Sequence, residues 1–539
     1  MIALCGLAAA QNGPLLPSAA AADGNNLRST QLFDFPNLPW DTNALADSLD
    51  YSNPPDGAVF VARQAGPDSS VILLGYNYFD GGSWLGRMSR STNSGKTFTP
   101  FTHGIGFYVD VCLHGNGVDS VYVLSILESS TGYNLFLKRS LDDGATWSDT
   151  VRVDRGTSTF TDKPMFVTAG SNFYCTYTDF SGGTHFIRMC RSTDWGLTWN
   201  TGDVNVSTTD GTGSCPAVAP NGDVYVAWGQ PAGWVPTSVW FNRSTDLGAT
   251  WATPSLVRDL TVSGHLAGWR ANHPFPAVVV DTLGKIYLTV QNSLQGGGWD
   301  VMVVTSTDSG RTWCAPVKVN DDTVPGSDQY CSWITLDRRQ RPHVFWYDSR
   351  NYYPTNSGDV YYSWSEDGGL TWAANEQVND VTPCYTEGSS NQMGDYQQIR
   401  CDSNYVYCSW SDHRNGHDDW SYIAAARRPL PELTGIAQDP GERKWQSSRF
   451  ELGPNYPNPV VQGTEISFTA PEPSRISLQV YDQSGRLVKP LLRQDVVAGT
   501  HRARWDGTDR SGRAVVPGVY FYRLQTGGSQ ATRQMIVAR

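Results

Sequence analysis

The sequence predicts an all-β chain in which a ring of small antiparallel sheets is followed by a second, smaller β-domain. Three observations predict it. An eight-residue stretch occurs six times, short strands surround each copy, and the last 90 residues change both strand pattern and charge.

The repeated stretch is clearest at Ser244-Thr245-Asp246-Leu247-Gly248-Ala249-Thr250-Trp251. Other copies begin at Ser91, Ser140, Ser192, Ser306 and Ser365, so successive starts lie 49, 52, 52, 62 and 59 residues apart. Repetition at this period marks an array of supersecondary units. The third position holds Asn93, Asp142, Asp194, Asp246, Asp308 or Asp367. Such a side chain accepts backbone N–H bonds within its own turn. The fifth position is always Gly, which takes φ > 0 at no steric cost. The eighth is Trp, or Phe98 in the first copy, and is expected to pack under the turn or on a neighbouring unit. Each box therefore reads as a strand–turn–strand staple. Spread round a repeat, its six polar side chains cannot converge on one substrate, so their role is structural.

The rest of each unit follows from strand and turn signals. In the fifth, 273–280 is an inner strand, 281–285 a turn, 286–291 a second strand, 300–306 a third, and 315–319 a fourth after the box. This rhythm runs from Ala58 to Arg427 and repeats seven times, once more than the box. The seventh unit, from Tyr396, has three strands and no box, and its fourth strand is expected from the N-terminal segment. Seven blades are favoured, with six as the alternative.

The ends of the chain are different. Residues 1–22 are short, apolar and Ala-rich, and are expected to be a signal peptide. Residues 23–428 are assigned to the ring, and 429–449, polar with Pro at both ends of its first stretch, to a linker. Residues 450–539 alternate apolar and polar positions between turns at Asp482-Gln483-Ser484-Gly485, Asp506-Gly507 and Ser511-Gly512, which reads as a β-sandwich of about seven strands.

Charge and cysteine content narrow the function classes. The formal net charge is −12, and from Ser448 onward it is +5, with 12 Lys and Arg against 7 Asp and Glu. A general affinity for nucleic acid or anionic membranes is not expected. No run approaches 18 apolar residues, so no membrane span is expected. The ten Cys form no Cys-x-x-Cys pair, and no Asp-x-Asp-x-Asp-Gly loop occurs, so neither a metal nor another cofactor is assigned. Cys175 and Cys190 flank a hairpin centred on Gly182-Gly183 that places them opposite each other, and Cys401 and Cys408 flank a shorter turn. Cross-strand disulfides and buried thiols are both open readings.

The S-x-D-x-G-x-T-W pattern resembles the Asp-box, or bacterial-neuraminidase repeat, of sialidase-like β-propellers. Five of the six copies match it fully. The resemblance implies a propeller with the boxes between third and fourth strands, and it is shared by sialidases, other glycosidases and non-enzymatic receptors. The tail, with Leu452-Gly-Pro-Asn-Tyr-Pro-Asn-Pro459, Val480-Tyr-Asp482, Trp505-Asp506-Gly507 and Gly518-Val519-Tyr520-Phe521-Tyr522, resembles the type A sorting domain of type IX secretion, related to the immunoglobulin-like domain of flagellar hook-capping proteins. This implies type IX secretion machinery as a partner, export across the bacterial outer membrane, and a secreted or cell-surface location.

In a propeller the boxes lie on one face. Loops between second and third strands, and between blades, lie on the other, round the channel mouth, where ligands are expected. Two near-copies emerge there: Trp346-Tyr347-Asp348-Ser349-Arg350 and Trp410-Ser411-Asp412-His413-Arg414. Asp328, Asp359, Asp395-Tyr396 and Arg270 belong to the same set of loops. Asp348, Asp395, Asp412 and Tyr396 are the candidate catalytic groups, since a carboxylic acid and an activated Tyr suit glycoside cleavage. Arg270, Arg350, Arg414, Asp328 and Asp359 are the candidate substrate contacts, because Arg clamps a carboxylate bidentately. The other reading makes each Asp-x-Arg an ion pair that holds its own loop. The sialidase Phe/Tyr-Arg-Ile-Pro motif and Tyr–Glu pair are not found, so the catalytic resemblance does not follow. Two functions stay open: a sialidase-like glycoside hydrolase, and a non-catalytic surface or adhesion protein that binds glycan, glycoprotein or another protein.

Overall fold

The computed structural model describes residues 40–41, 43–45, 57–63, 69–80, 83–101, 108–115, 120–129, 132–156, 158–200, 202–232, 235–260, 275–292, 297–354, 357–382, 397–412, 422–431, 451–456, 460, 463–470, 474–496 and 499–538. The signal-peptide expectation and nearly all of the linker expectation lie outside the described residues.

Seven four-stranded antiparallel sheets follow one another as the blades of a β-propeller. Blades 1 to 6 span 57–101, 108–152, 161–205, 212–259, 278–318 and 329–377. Blade 7 has three strands at Gln398–Cys401, Tyr405–Asp412 and Tyr422–Pro429. Its fourth is the N-terminal segment Ala44–Leu45, which pairs with Ala425 and Ala424. The ring thus closes as the missing box implied. Asn43 adds to the closure through a backbone bond of 3.0 Å to Asp380 and a side-chain bond of 3.1 Å to the Val378 carbonyl. The inner strands touch in sequence round the whole ring, blade 7 against blade 1 included.

The middle strands are apolar on both faces because each blade lies between two others. Pro342–Asp348 is buried at every position, as is Ile286–Asn292. Such a strand reads as a continuous run and not as an alternation. The fifth blade departs from expectation at its first strand, which is only Val278–Val280.

The box makes the same turn six times. Ser244 Oγ donates to Asp246 Oδ1 at 2.7 Å and accepts from the Gly248 N–H at 2.8 Å. Thr250 gives its N–H to Asp246 Oδ1 and its hydroxyl to Oδ2, at 2.9 and 2.6 Å. Asn93 keeps the pattern in the first copy, but its Nδ2 now donates to Thr97 Oγ1, reversing one bond. The fifth-position glycines have φ between 76° and 87°. The fourth position is left-handed too, with φ from 56° at Asp143 to 71° at Gly368, which the Gly rule alone did not predict. The hydrogen bonds on either side over-determine that conformation.

Each box rests on the preceding blade. A Cβ placed on Gly310 would come within 2.2 Å of the Phe241 ring of blade 4, and on Gly144 within 2.8 Å of Leu73 of blade 1. Gly95 of blade 1 faces Tyr407 of blade 7. A basic side chain often caps the contact: Arg90 reaches the Asp143 carbonyl, Arg191 the Leu247 carbonyl, Lys285 the Gly368 carbonyl and Arg427 the Ser94 carbonyl, at 2.9, 3.0, 2.6 and 3.1 Å.

The C-terminal residues form two sheets, one of three strands and one of four. Leu452, Ile466, Phe468 and Trp505 of the first share a core with Ile476, Leu478, Val480, Tyr522, Leu524 and Met535 of the second. In Gly518–Gln525 the buried positions alternate, as predicted for a sheet with one solvated face.

The cysteine expectations divide. Cys175 and Cys190 are Cα partners and both are buried free thiols. Cys401 and Cys408 are not opposite: Cys401 faces Val406 and Cys408 faces Ile399, because the Asp402 turn sets a register two residues away from that pairing.

Candidate functional site

The mouth of the channel is framed by the ends of the second strands. Residues two apart share a face of a strand, so Trp346 meets Asp348 and Trp410 meets Asp412. The indole N–H donates to the carboxylate at 2.9 Å in blade 6 and 3.0 Å in blade 7. All four side chains are fully buried. The two motifs meet through Tyr347, whose hydroxyl donates to the Ser411 carbonyl and accepts the Ser411 N–H, both at 3.0 Å.

Asp348 is heavily engaged. Oδ1 accepts the Arg350 N–H at 2.9 Å and Gln329 Nε2 at 3.2 Å, while Oδ2 accepts Trp346 and Arg350 Nη2, the latter at 2.8 Å. Arg350 continues to Asp321 Oδ1 at 2.6 Å and Asn375 Oδ1 at 2.8 Å, with its guanidinium 4.2 Å from the Tyr361 ring centre. Burial alone would lower its pKa, but hydrogen bonds to Asp348 and Asp321 and the charges of Asp348 and Asp322 hold it above the ordinary arginine value. This pair ties the blade 6 loop to the connection from blade 5, as in the loop-holding reading of Asp-x-Arg.

Asp359 stands opposite Asp348 in register. Asn379 Nδ2 donates to its Oδ1 at 2.7 Å and Asn351 Nδ2 to its Oδ2 at 3.1 Å. Asp328 accepts the Trp299 N–H at 2.7 Å, and its own N–H goes to Ser349 Oγ at 2.7 Å. Asp328, Asp348, Arg350 and Asp359 are therefore gathered in one network at the rim. Asp395, Tyr396, Arg270 and Arg414 lie outside the described residues.

Three features of the mouth were missed in the sequence. The first is a second staple. Asp154, Ser207, Asn320 and Asn379 follow a Val just past the outer strand, 14 or 15 residues after the box serine. Each side chain accepts the backbone N–H of a third-strand residue, Leu135, Ile187, Val301 or Val360, at 2.8–3.0 Å. The signal, Val-x-Val followed by Asp, Ser or Asn in three of the four copies, was present. The second is a ring of bulges. Asp110, Lys163, Gly213 and Cys331 are left-handed, with φ of 56°, 55°, 61° and 50°, where the inner-strand register of blades 2, 3, 4 and 6 shifts. Bulges re-aim side chains and cluster near sites.

The third is a belt of polar side chains near the mouth: Ser214, Gln291, Gln397, Gln398 and Ser411, all buried. A side-chain oxygen of each lacks a hydrogen-bond partner. Gln397 donates to the Cys331 carbonyl and Gln291 Nε2 to Ser332 Oγ at 3.4 Å, so the amides are anchored on one side only. Buried polar atoms are normally satisfied, and a cluster that is not fits a place for ligand or water. Among the described residues no group of three or more His, Cys, Asp or Glu is placed to hold a metal ion. Among them also, no helix is long and apolar enough to cross a membrane.

Comparison with known proteins gives a family match for the tail alone: the model of the FlgD Ig-like domain matches residues 457–529. No curated protein sequence matches the chain. Solved structures resemble it at low identity. An α-L-arabinanase of Penicillium chrysogenum is 13% identical over 72% of this chain and 98% of its own, with a TM-score of 0.38. The Hadza microbial sialidase Hz136 is 17% identical over 53% of this chain and 66% of its own, with a TM-score of 0.39. PorZ, a surface component of the type IX secretion system of Porphyromonas gingivalis, is 15% identical over 88% of this chain and 59% of its own, with a TM-score of 0.37.

Proposed function

We propose that this chain is an exported Asp-box propeller that receives a glycan at the channel mouth, around blades 4 to 7. Its C-terminal domain is proposed to engage type IX secretion machinery, which leaves the protein secreted or at the cell surface. The observation that supports glycan recognition is the belt of buried amide and hydroxyl oxygens without partners at Ser214, Gln291, Gln397, Gln398 and Ser411. Directional, uncharged groups of this kind suit sugar hydroxyls, and anchored amides are already oriented for them. In this reading Asp412, Asp395 and Tyr396 are the groups that act on the sugar and Arg270 and Arg414 hold it. The Asp348–Arg350 pair, with Asp328 and Asp359, is the frame that keeps the loops in place.

Glycoside cleavage needs one carboxyl group to protonate the leaving oxygen and a second group to serve as base or nucleophile. A panel of glycans with detection of released reducing sugar tests this. Turnover that is lost in Asp412→Asn and in Asp395→Asn supports the hydrolase. The alternative is a non-catalytic surface or adhesion protein, and one observation favours it: Asp328, Asp348 and Asp359 all spend oxygens on protein hydrogen bonds. It predicts saturable binding on a glycan or glycoprotein array without product. No binding and no turnover on any glycan would overturn both.

A further inference from the structure

Among the described residues, the ring of inner strands carries a cation, Arg400, that has no carboxylate partner. Pairing with the second strands puts His114 opposite Tyr122, Ala217 opposite Tyr225, Thr335 opposite His343 and Arg400 opposite Tyr407, all at one level of the ring. Arg400 belongs to blade 7, yet it lies within electrostatic reach of Cys112 and His114 of blade 2 and of Cys215 of blade 4. Its side chain therefore lies on the inner side of the ring, near the inner strands of blades 2 and 4. It is half-buried on the inner strand, and burial withdraws its guanidinium from bulk water.

Four other arginines drawn into the ring have acid partners. Arg341 pairs with Asp337 and Glu366, Arg350 with Asp348 and Asp321, Arg427 with Asp41, and Arg428 with Glu376. Arg400 makes one hydrogen bond, from Nη1 to the carbonyl of its own neighbour Ile399 at 3.3 Å, and pairs with no carboxylate among the described residues. The groups that act on it directly are the thiols Cys112, Cys215 and Cys401, while the nearest carboxylates, Asp110 beside Cys112 and Asp337 and Asp402 beside Cys401, form no ion pair with it. Burial holds His114 down to about 3 and pushes the Cys215 thiol up to about 11, with Cys112 also raised by burial. A guanidinium taken from bulk water without a counter-charge is costly, and its planar fork matches an oxyanion.

We propose that the central channel binds one small oxyanion, a carboxylate, sulfate or phosphate group, received by Arg400. The site is distinct from the mouth and does not depend on glycan recognition there. The anion can be a free ion or the acid group of a sugar.

Equilibrium dialysis of the full chain against radiolabelled sulfate at constant ionic strength tests it. Phosphate, acetate and glucuronate serve as competitors to separate a free ion from a sugar acid. The expected result is saturable binding of one sulfate per chain, weakened at least tenfold in Arg400→Met and weakened less in Arg400→Lys. Arg486→Met, which removes a surface arginine of the C-terminal domain, is expected to change nothing. Absence of saturable wild-type binding of sulfate, with no competitor binding when labelled in its turn, would overturn the proposal. So would equal binding by folded Arg400→Met. If Arg400→Met does not fold, Arg400→Lys and the wild-type stoichiometry decide the question.

Discussion

Replacing Gly310 by Ala separates the two demands that the box makes on its glycine. The residue has φ of 81°, where an L side chain costs about 1–2 kcal/mol. Its Cβ would also lie 2.2 Å from Phe241 Cε1 and 2.7 Å from Cζ, so the buried ring must move. Overpacking of that kind costs roughly 1–3 kcal/mol more. Gly369 occupies the same box position with φ of 87°, but its nearest neighbours stand at 3.7 Å, an ordinary contact. Gly369→Ala is therefore expected to cost about 1–2 kcal/mol and Gly310→Ala about 2–5 kcal/mol. Urea unfolding followed by tryptophan fluorescence reads the difference. Phe241→Leu should recover part of the loss in Gly310→Ala and none in Gly369→Ala, as a double-mutant cycle would show. Equal losses at the two glycines would refute the claim that the box glycine also serves close packing between blades.

Two further outcomes are expected. Arg350→Ala leaves the fully buried Asp348 without its cation and should cost about 3–5 kcal/mol in urea unfolding, with Arg350→Lys recovering only part because one ammonium cannot serve Asp348, Asp321 and Asn375 together. The boxes should also set acid stability. Bonds from Thr146, Thr250 and Thr312 hold Asp142, Asp246 and Asp308 at about 2. Their unfolded value is about 3.9. Folded pKa values below unfolded ones mean that this stability is complete above about pH 4 and is lost as pH falls through about 2. Melting temperatures between pH 5 and pH 2 should fall less steeply in Asp246→Asn, the residue type that Asn93 already uses; an unchanged slope would count against it.

The repeat made most of the fold legible. Six boxes at a regular period, one boxless unit with three strands and a spare N-terminal segment were enough to expect seven blades closed by that segment. Strand ends were less legible, as at 273–280, because the apolar run continues past Val278, the last residue in register with the second strand. The rim was legible in identity but not in role. Asp348 and Arg350 were found by motif, yet their partners Asp321, Gln329 and Asn375 come from other loops and strands that no local pattern connects. The second staple at Asp154, Ser207, Asn320 and Asn379 had a sequence signal, whereas the unpaired oxygens of Gln291, Gln397 and Gln398 had none, since a polar residue looks the same whether its partner is present or absent.

The sequence by itself determined what depends on short range. Turn chemistry within eight residues, strand length and the alternation of the tail are local properties, and they repeat. Only the tertiary structure decided what depends on residues far apart meeting. It determined that Gly310 must clear Phe241 of the previous blade, that Asp348 is sealed under Arg350, and that Arg400 of blade 7 lies near Cys112 and Cys215 with no carboxylate partner among the described residues. The physical reason is that hydrogen-bond satisfaction and charge neutrality are sums over all neighbours in space, and closing a ring of seven blades brings together neighbours that the chain order keeps hundreds of residues apart.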